Sequence, residues 1–230
     1  MEIRQFVWDV VDSNSWLITE GNNGLLIDAI DSKELYQEIM RLDSLTIILT
    51  HSHFDHIYGL NQIREIRSDA KVIATRLCSD YLGNIYKNMS SSATAFMVFY
   101  SGSNDIEVDP ITCSPADVVF DDEHEFMWCD HRIRLAAFHG HSADSLIAFI
   151  DDRMMFSGDT ILPIPTITRF PSGSTKIFWE EDMPRLRAIR AIKAISTMDG
   201  GMTVYPGHGD AGRLDEMIAV NKMPERYRGK

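Results

Sequence analysis

Residues 51–56 read His-Ser-His-Phe-Asp-His, which places His51, His53, Asp55 and His56 within one short stretch. Neutral imidazole nitrogens and ionised carboxylate oxygens are ligands that zinc and similar divalent cations take from proteins. Four such donors are more than one ion needs from one segment while it keeps an open position, so the cluster points to two ions. A lone histidine is more often a core or surface residue. Four candidate ligands at i, i+2, i+4 and i+5 call for metal chemistry. Divalent ions lower the pKa of bound water from near 16 to about 7, which makes hydroxide available at neutral pH. The expected chemistry is therefore hydrolysis without a serine or cysteine nucleophile.

Such a cluster needs a backbone that turns. The apolar run Leu45–Leu49 just before it reads as a buried strand, and Ile57–Ile66 after it carries apolar residues at helical spacing. The ligands thus fall on a strand-to-helix turn, where neighbouring side chains can face one cavity. Three later stretches also put a ligand type at the end of a predicted strand. They are His141 after Arg132–Phe138, Asp159 after the hairpin Ser145–Ile150 and Arg153–Phe156, and His208 after Thr203–Tyr205. His139 lies two residues before His141, and from spacing alone the two could exchange roles. His124 and His131 sit among charged residues and read as surface positions.

The segment His51–His56 resembles the HxHxDH signature of the metallo-β-lactamase fold superfamily. Gly140-His141-Ser142, Ser157-Gly158-Asp159-Thr160 and Pro206-Gly207-His208-Gly209 resemble its later motifs, in the same order. The resemblance covers about residues 14–221. It implies a single α/β domain over residues 1–230 with a four-layer αβ/βα sandwich of the metallo-β-lactamase type. It also implies a ligand set, and it selects His141 over His139. His51, His53 and His141 would hold one ion and Asp55, His56 and His208 the second, with Asp159 between them. Asp55 would orient a metal-bridging hydroxide. Two divalent ions are expected, zinc first, with iron or manganese as the alternatives.

Departures from the family's subgroups narrow the reaction. Asp159 stands where zinc-dependent antibiotic hydrolases commonly carry cysteine, so a true β-lactamase is not expected. The pattern is closest to the glyoxalase II group, but the short stretch after His208 leaves no long helical region to hold a glutathione thioester. Thr160-Ile161-Leu162-Pro163 lacks the tyrosine that quorum-signal lactonases place there. The leading expectation is a dinuclear hydrolase of a small ester, thioester or lactone. Two alternatives are a mononuclear iron persulfide dioxygenase and a non-catalytic sensor or binding protein on the same fold.

The remaining features bound the partners. The formal charge is −12, with 22 basic and 34 acidic residues, so no nucleic-acid footprint is expected. No apolar run approaches a membrane span, and the N-terminus has no signal-like pattern. Cys78, Cys113 and Cys129 are widely spaced and odd in number. They read as inert packing thiols in a reducing cytoplasm. The expected partner is a small-molecule substrate. Its walls would be Phe96–Tyr100 and Ile161–Trp179, with Arg169 and Lys176 as solvated basic groups.

Along the chain, Ile3–Val11, Ser15–Thr19 and Gly24–Asp28 read as an antiparallel strand meander. Asp28, ending the third strand, is either a polar group at the site's edge or a turn aspartate. Asp31-x-x-Glu34 has the form of a capping box opening a helix with Leu35, Ile39 and Leu42 on its apolar face. Lys71–Ala74 reads as a strand and Arg76–Tyr86 as a helix. Residues 75–110 form an insertion, either a lid over a cleft or a segment anchored to the core by its aromatics. Asp117–Phe120 and Glu125–Cys129 read as strands, and Ile177–Met198 and Arg213–Asn221 as helices. Strands alternating with helices imply a layered α/β architecture.

Overall fold

The computed structural model describes residues 1–101, 105–139, 141–163 and 201–220. The expected Ile177–Met198 helix, Arg169 and Lys176 lie outside them, as does most of the Ile161–Trp179 segment.

The described residues form two six-stranded sheets. In chain order the elements are β1 (Glu2–Trp8), β2 (Ser13–Glu20), β3 (Asn23–Ile27), α1 (Lys33–Ile39), β4 (Ser44–Ile48), α2 (Phe54–Ile57), α3 (Leu60–Ile66), β5 (Lys71–Thr75), α4 (Arg76–Leu82), α5 (Ala93–Ser101) and β6 (Val118–Phe120). Then follow β7 (Glu123–Trp128), β8 (His131–Ala137), β9 (Leu146–Ile150), β10 (Met154–Gly158), β11 (Thr203–Pro206), β12 (Gly212–Arg213) and α6 (Leu214–Val220). The first sheet runs β1 to β6 in order, antiparallel through β3 and parallel from β3 to β6. The second runs β7-β8-β9-β10-β11-β12, antiparallel except for the parallel pair β10 and β11.

The strand sequences show why both faces of each sheet are covered. Successive side chains of a strand point to opposite faces. In β3 and β4, Leu25, Ile27 and Ile48 join the apolar layer between the sheets, packed with Leu135, Leu146, Ala148 and Phe156. Their neighbours Leu26, Leu45, Ile47 and Leu49 belong instead to a second cluster with Leu35, Ile39, Leu60 and Ile63 of the helices. In β9, Ile147 and Phe149 face a third cluster with Leu214 and Met217 of α6. Each sheet is apolar on both sides, hence the near-continuous apolar runs in its central strands. The architecture is the αβ/βα sandwich.

Several boundaries differ from expectation for local reasons. The cap of α1 is Ser32, whose Oγ accepts from the Leu35 N–H at 3.4 Å. Asp31 lies one residue outside and accepts from the Tyr36 hydroxyl at 2.8 Å, so the Asp31–Glu34 capping box does not form. The expected helix 57–66 is two helices broken at Gly59, whose N–H donates to Ala29 O at 2.8 Å. A Cβ there would run into the backbone carbonyl of Ile30. The break lets the connector after β3 lie directly against the ligand turn. Residues 93–101 form a helix although Ala-Phe-Met-Val-Phe-Tyr shows no helical period. Ala93 and Met97 are buried one turn apart, and Thr94 Oγ1 bonds the backbone of Val108 in both directions, at 2.9 and 3.0 Å. Among the described residues no helix is long and apolar enough to cross a membrane.

His131 is not a free surface residue. It joins the sheets, with Nε2 2.7 Å from Glu20 at the end of β2 and Nδ1 2.6 Å from Asp151 in the β9–β10 turn. The bond to Asp151 raises the His131 pKa above 6.5, and the same bond lowers Asp151 below 3.8. The histidine's contribution to stability is thus fully present below about pH 6.5 and is lost as pH rises through its raised value. The aspartate's is present above about pH 3.8 and lost below it. His131→Ala should therefore lower stability most between pH 5 and 6, by up to about 1 kcal/mol. The deficit should shrink toward pH 9, as read from thermal unfolding curves at each pH.

Candidate metal centre

All seven expected ligands converge where the strands of the two sheets end. His51, His53, Asp55 and His56 sit on the turn that carries β4 into α2, His141 between β8 and β9, Asp159 just after β10, and His208 just after β11. Their ligating atoms form three groups, each within 4.8 Å internally: His51, His53 and His141; Asp55, His56 and His208; and His51, His56 and Asp159. Asp159 lies between the first two, with Oδ2 3.6 Å from His141 Nε2 and 3.4 Å from His208 Nε2. Asp55 Oδ2 is 3.4 Å from His56 Nε2 and 3.3 Å from His208 Nε2. His51, His56 and Asp159 are buried as a floor, while His53, Asp55, His141 and His208 are half-buried and form a rim.

The inward aim of the rings follows from what holds their outer nitrogens. The Thr50 hydroxyl donates to Asp28 Oδ2 at 2.7 Å, so its oxygen accepts from His51 Nδ1 at 3.1 Å and leaves Nε2 with its lone pair inward. Asp28 Oδ2 also accepts from His56 Nδ1 at 3.1 Å, and Asp28 Oδ1 accepts from the Thr50 N–H at 2.7 Å. His208 Nδ1 donates to Asp12 O at 3.0 Å. Outer contacts of this kind fix a ligand's tautomer and direction. Asp28 is thus a polar group at the site, bonded to His56 and buried behind the turn, in a left-handed backbone conformation at φ 59°.

The donor set fits metal ions. His51 Nε2, His56 Nε2 and Asp159 Oδ1 are buried without a hydrogen-bond partner, the latter two facing each other at 3.3 Å. Each unpaired buried polar atom costs about 1–3 kcal/mol. A cation taking these atoms as ligands, with His56 giving up its proton, would remove that cost. Charge in the cluster is correspondingly perturbed. Burial drives His51 well below the usual imidazole range. Burial also opposes the charged forms of His56 and His208, but Asp55 and Asp159 overcome it. They hold His56 well above its ordinary value and His208 at about 10. The same pairing, against burial, holds Asp55 at about 2 and Asp159 well below the carboxylate range.

Two glycines let the turns approach. At Gly158, φ 49°, a Cβ would lie 2.5 Å from Thr50 Oγ1. At Gly207 it would overlap Asp159 Oδ1 and stand 2.9 Å from His56 Cε1. The Gly207 turn is held from the far end of the chain. Asn14 N donates to Gly207 O at 2.7 Å, and the Asn14 side chain to Pro206 O at 3.0 Å and Gly209 O at 2.7 Å.

A model of the metallo-beta-lactamase superfamily matches residues 8–208. The chain belongs to that superfamily. It is 26% identical over 165 residues to the "Probable metallo-hydrolase YqgX" of Bacillus subtilis (strain 168), spanning 70% of this chain and 72% of that protein. Among solved structures it is similar in fold to the BLEG-1 B3 metallo-beta-lactamase, with TM-score 0.70, 19% identity, and 95% and 97% of the two chains covered. TTHA1623 in a di-iron-bound form has a TM-score of 0.62 at 18% identity, covering 93% of this chain and 96% of its own. These structural likenesses are of fold. The superfamily is metal-dependent, and among the described residues these His and Asp groups could bind metal.

The other candidates fall outside the cluster. His139 is exposed, with Nδ1 against Ala143 O, and His124 stacks on Phe120 at 5.7 Å between ring centroids. Cys78 and Cys113 are buried, which pushes Cys113 up to about 11 and Cys78 well up. Cys129 is exposed, so it is not a packing thiol. Phe96, 39% exposed, meets the ring of Phe54 edge-on at 6.5 Å. Ile161 is buried with Leu214 and Met217 of α6, and Leu162 is buried too, rather than exposed as a wall. Sequence reasoning passed over Asn14 and Asp144. Their only signal was a polar residue at the start of an apolar strand.

Two outcomes follow from this geometry. With His56 held well above its ordinary value and His208 at about 10, these rings must shed protons to become ligands, so binding divalent zinc should release protons. Release should fall as pH is raised through about 10, the His208 value; calorimetry in buffers of differing ionisation enthalpy reads it directly. Gly207→Ala should displace Asp159 and His56 and lower zinc affinity about 10- to 100-fold while the apo fold persists, as judged by chelator competition and circular dichroism.

Proposed function

We propose that this protein is a dinuclear metal-dependent hydrolase of a small ester, thioester or lactone. The observation that carries the reading is the pairing of two complete trios, His51-His53-His141 and Asp55-His56-His208, with Asp159 within 3.6 Å of a histidine of each. In this reading each trio holds one divalent ion, zinc first, and Asp159 serves both. Bound there, such ions polarise a carbonyl and make a water nucleophile available near neutral pH. That TTHA1623, of the same fold, has a di-iron-bound form supports a site for two ions.

The chain's own groups supply the rest. Asp55, held ionised at about 2, stands on the half-buried rim and orients the attacking water. The buried floor of His51, His56 and Asp159 leaves the rim as the side open to a substrate carbonyl. In this reading Phe96, which meets the ring of Phe54 next to His53, contributes an apolar wall for the substrate. A buried thiol, pushed up in pKa, has no part in the reaction.

Elemental mass spectrometry on protein purified without added metal should find about two divalent ions per chain, as the ligand count requires. Chelation should abolish turnover of a responsive ester, thioester or lactone, and re-addition should restore it. Asp159→Ala and His141→Ala should each lose that turnover. Full activity in either variant, or a single iron with oxygen uptake on a persulfide, would overturn the proposal.

A further inference from the structure

Asp144 is buried, at 1% exposure, and it touches both turns that carry one trio. Its Oδ2 accepts from the Ser52 N–H at 2.8 Å, and Ser52 lies between His51 and His53. Its Oδ1 accepts from Ser142 Oγ at 2.7 Å, and Ser142 follows His141. Its backbone carbonyl accepts from Thr75 Oγ1 at 2.9 Å, which ties it to the end of β5. Asp28 is bonded differently, to Thr50 and to His56 of the other trio.

We infer that Asp144 is a positioning residue for the His51-His53-His141 trio, setting the ion affinity of that half of the centre and not of the other. The inference rests on the reading that this trio holds an ion. Its physical basis is topological. The three histidines come from two sheets, two from the turn after β4 and one from the turn before β9. Side chains on separate turns keep ligand spacing only if the turns are fixed to each other. One carboxylate bonded to both does this. Removing it also leaves the Ser52 N–H buried without its acceptor, which releases the residue between the two histidines. An asparagine can keep both bonds, its oxygen accepting from Ser52 and its amide donating to Ser142 Oγ. The Ser142 proton then turns to Ser145 Oγ, 2.6 Å away.

The test is the affinity for zinc alone, by chelator competition, in two backgrounds. His208→Ala leaves the first trio whole, and His141→Ala leaves the second whole. Asp144→Ala should weaken zinc about 10- to 100-fold in the His208→Ala background and leave it unchanged in the His141→Ala background. Asp144→Asn should restore the loss. Equal weakening in both backgrounds, or none in the first, overturns the inference. If Asp144→Ala does not fold without metal, Ser142→Ala, which removes the Oδ1 bond and the Ser145 contact but keeps the Ser52 bond, is read by the same comparison. A wild-type protein holding one ion rather than two would overturn the two-ion reading alone. The Asp144 inference would still be decided by the His208→Ala pair.

Discussion

A carboxylate buried behind the ligands is the constraint on which the centre depends. Asp28 stands at the exit of β3 and accepts from the Thr50 N–H, the Thr50 hydroxyl and the His56 ring. Burial raises its pKa, and the bonds from His56 and Thr50 work against that rise. A lone buried charge costs several kcal/mol, so the residue is tenable only because three donors meet it. Those donors belong to the turn whose histidines must face inward. The same bonds that make Asp28 tolerable therefore set the direction of His51, through Thr50, and of His56. Its left-handed backbone is held by Asp28 N donating to Ile48 O at 2.9 Å and Ser15 Oγ donating to Asp28 O at 2.8 Å.

From that point the two sheets are joined at their ends rather than only through the apolar layer. Leu146 N donates to Thr50 O at 2.7 Å, Asn14 N to Gly207 O at 2.7 Å, and Ser13 pairs with His208 in an isolated bridge. Each of these bonds involves a ligand or a residue within five positions of one. Strand ends are rigid because the ladder behind them is, so seven side chains from four turns meet without much ordering cost at the moment an ion binds. The core fixes how far apart the sheets lie, and these cross-links fix how their ends face.

Much of this was legible in the sequence. The ligand clusters announce themselves by residue type, because few other roles bring three histidines and an aspartate into six positions. The strands bearing them are legible because each is an apolar run ending at the cluster. What was not legible depends on contacts made at a distance. Asp144 has no motif, and its role exists only because Ser52, far away in sequence, presents an N–H to it. Asn14 looks like any turn residue until the Pro206–Gly209 segment folds against it. The helix at 93–101 hides its period because apolar residues fill nearly all of it. The shift of a cap from Asp31 to Ser32 is decided by a single 3.4 Å bond that composition cannot weigh.

The charge pattern of the centre explains how such a cavity can fold before any ion reaches it. Asp28, Asp55 and Asp159 crowd around the floor, and three carboxylates that close would repel one another strongly if nothing opposed them. The opposing charge is drawn from within. His56 touches all three, at 3.1, 3.4 and 3.3 Å, and His208 touches Asp55 and Asp159, at 3.3 and 3.4 Å. These contacts raise the pKa of both imidazoles and lower those of Asp55 and Asp159, so the opposite charges offset one another within the folded chain. His51 and His53, which burial keeps neutral, need no such exchange. The two halves differ for this reason. The first trio is built of histidines, with His141 Nε2 and His53 Nδ1 hydrogen-bonded to each other at 2.9 Å. The second pairs its carboxylate with histidines whose pKa values are raised, His56 well above its ordinary value and His208 to about 10.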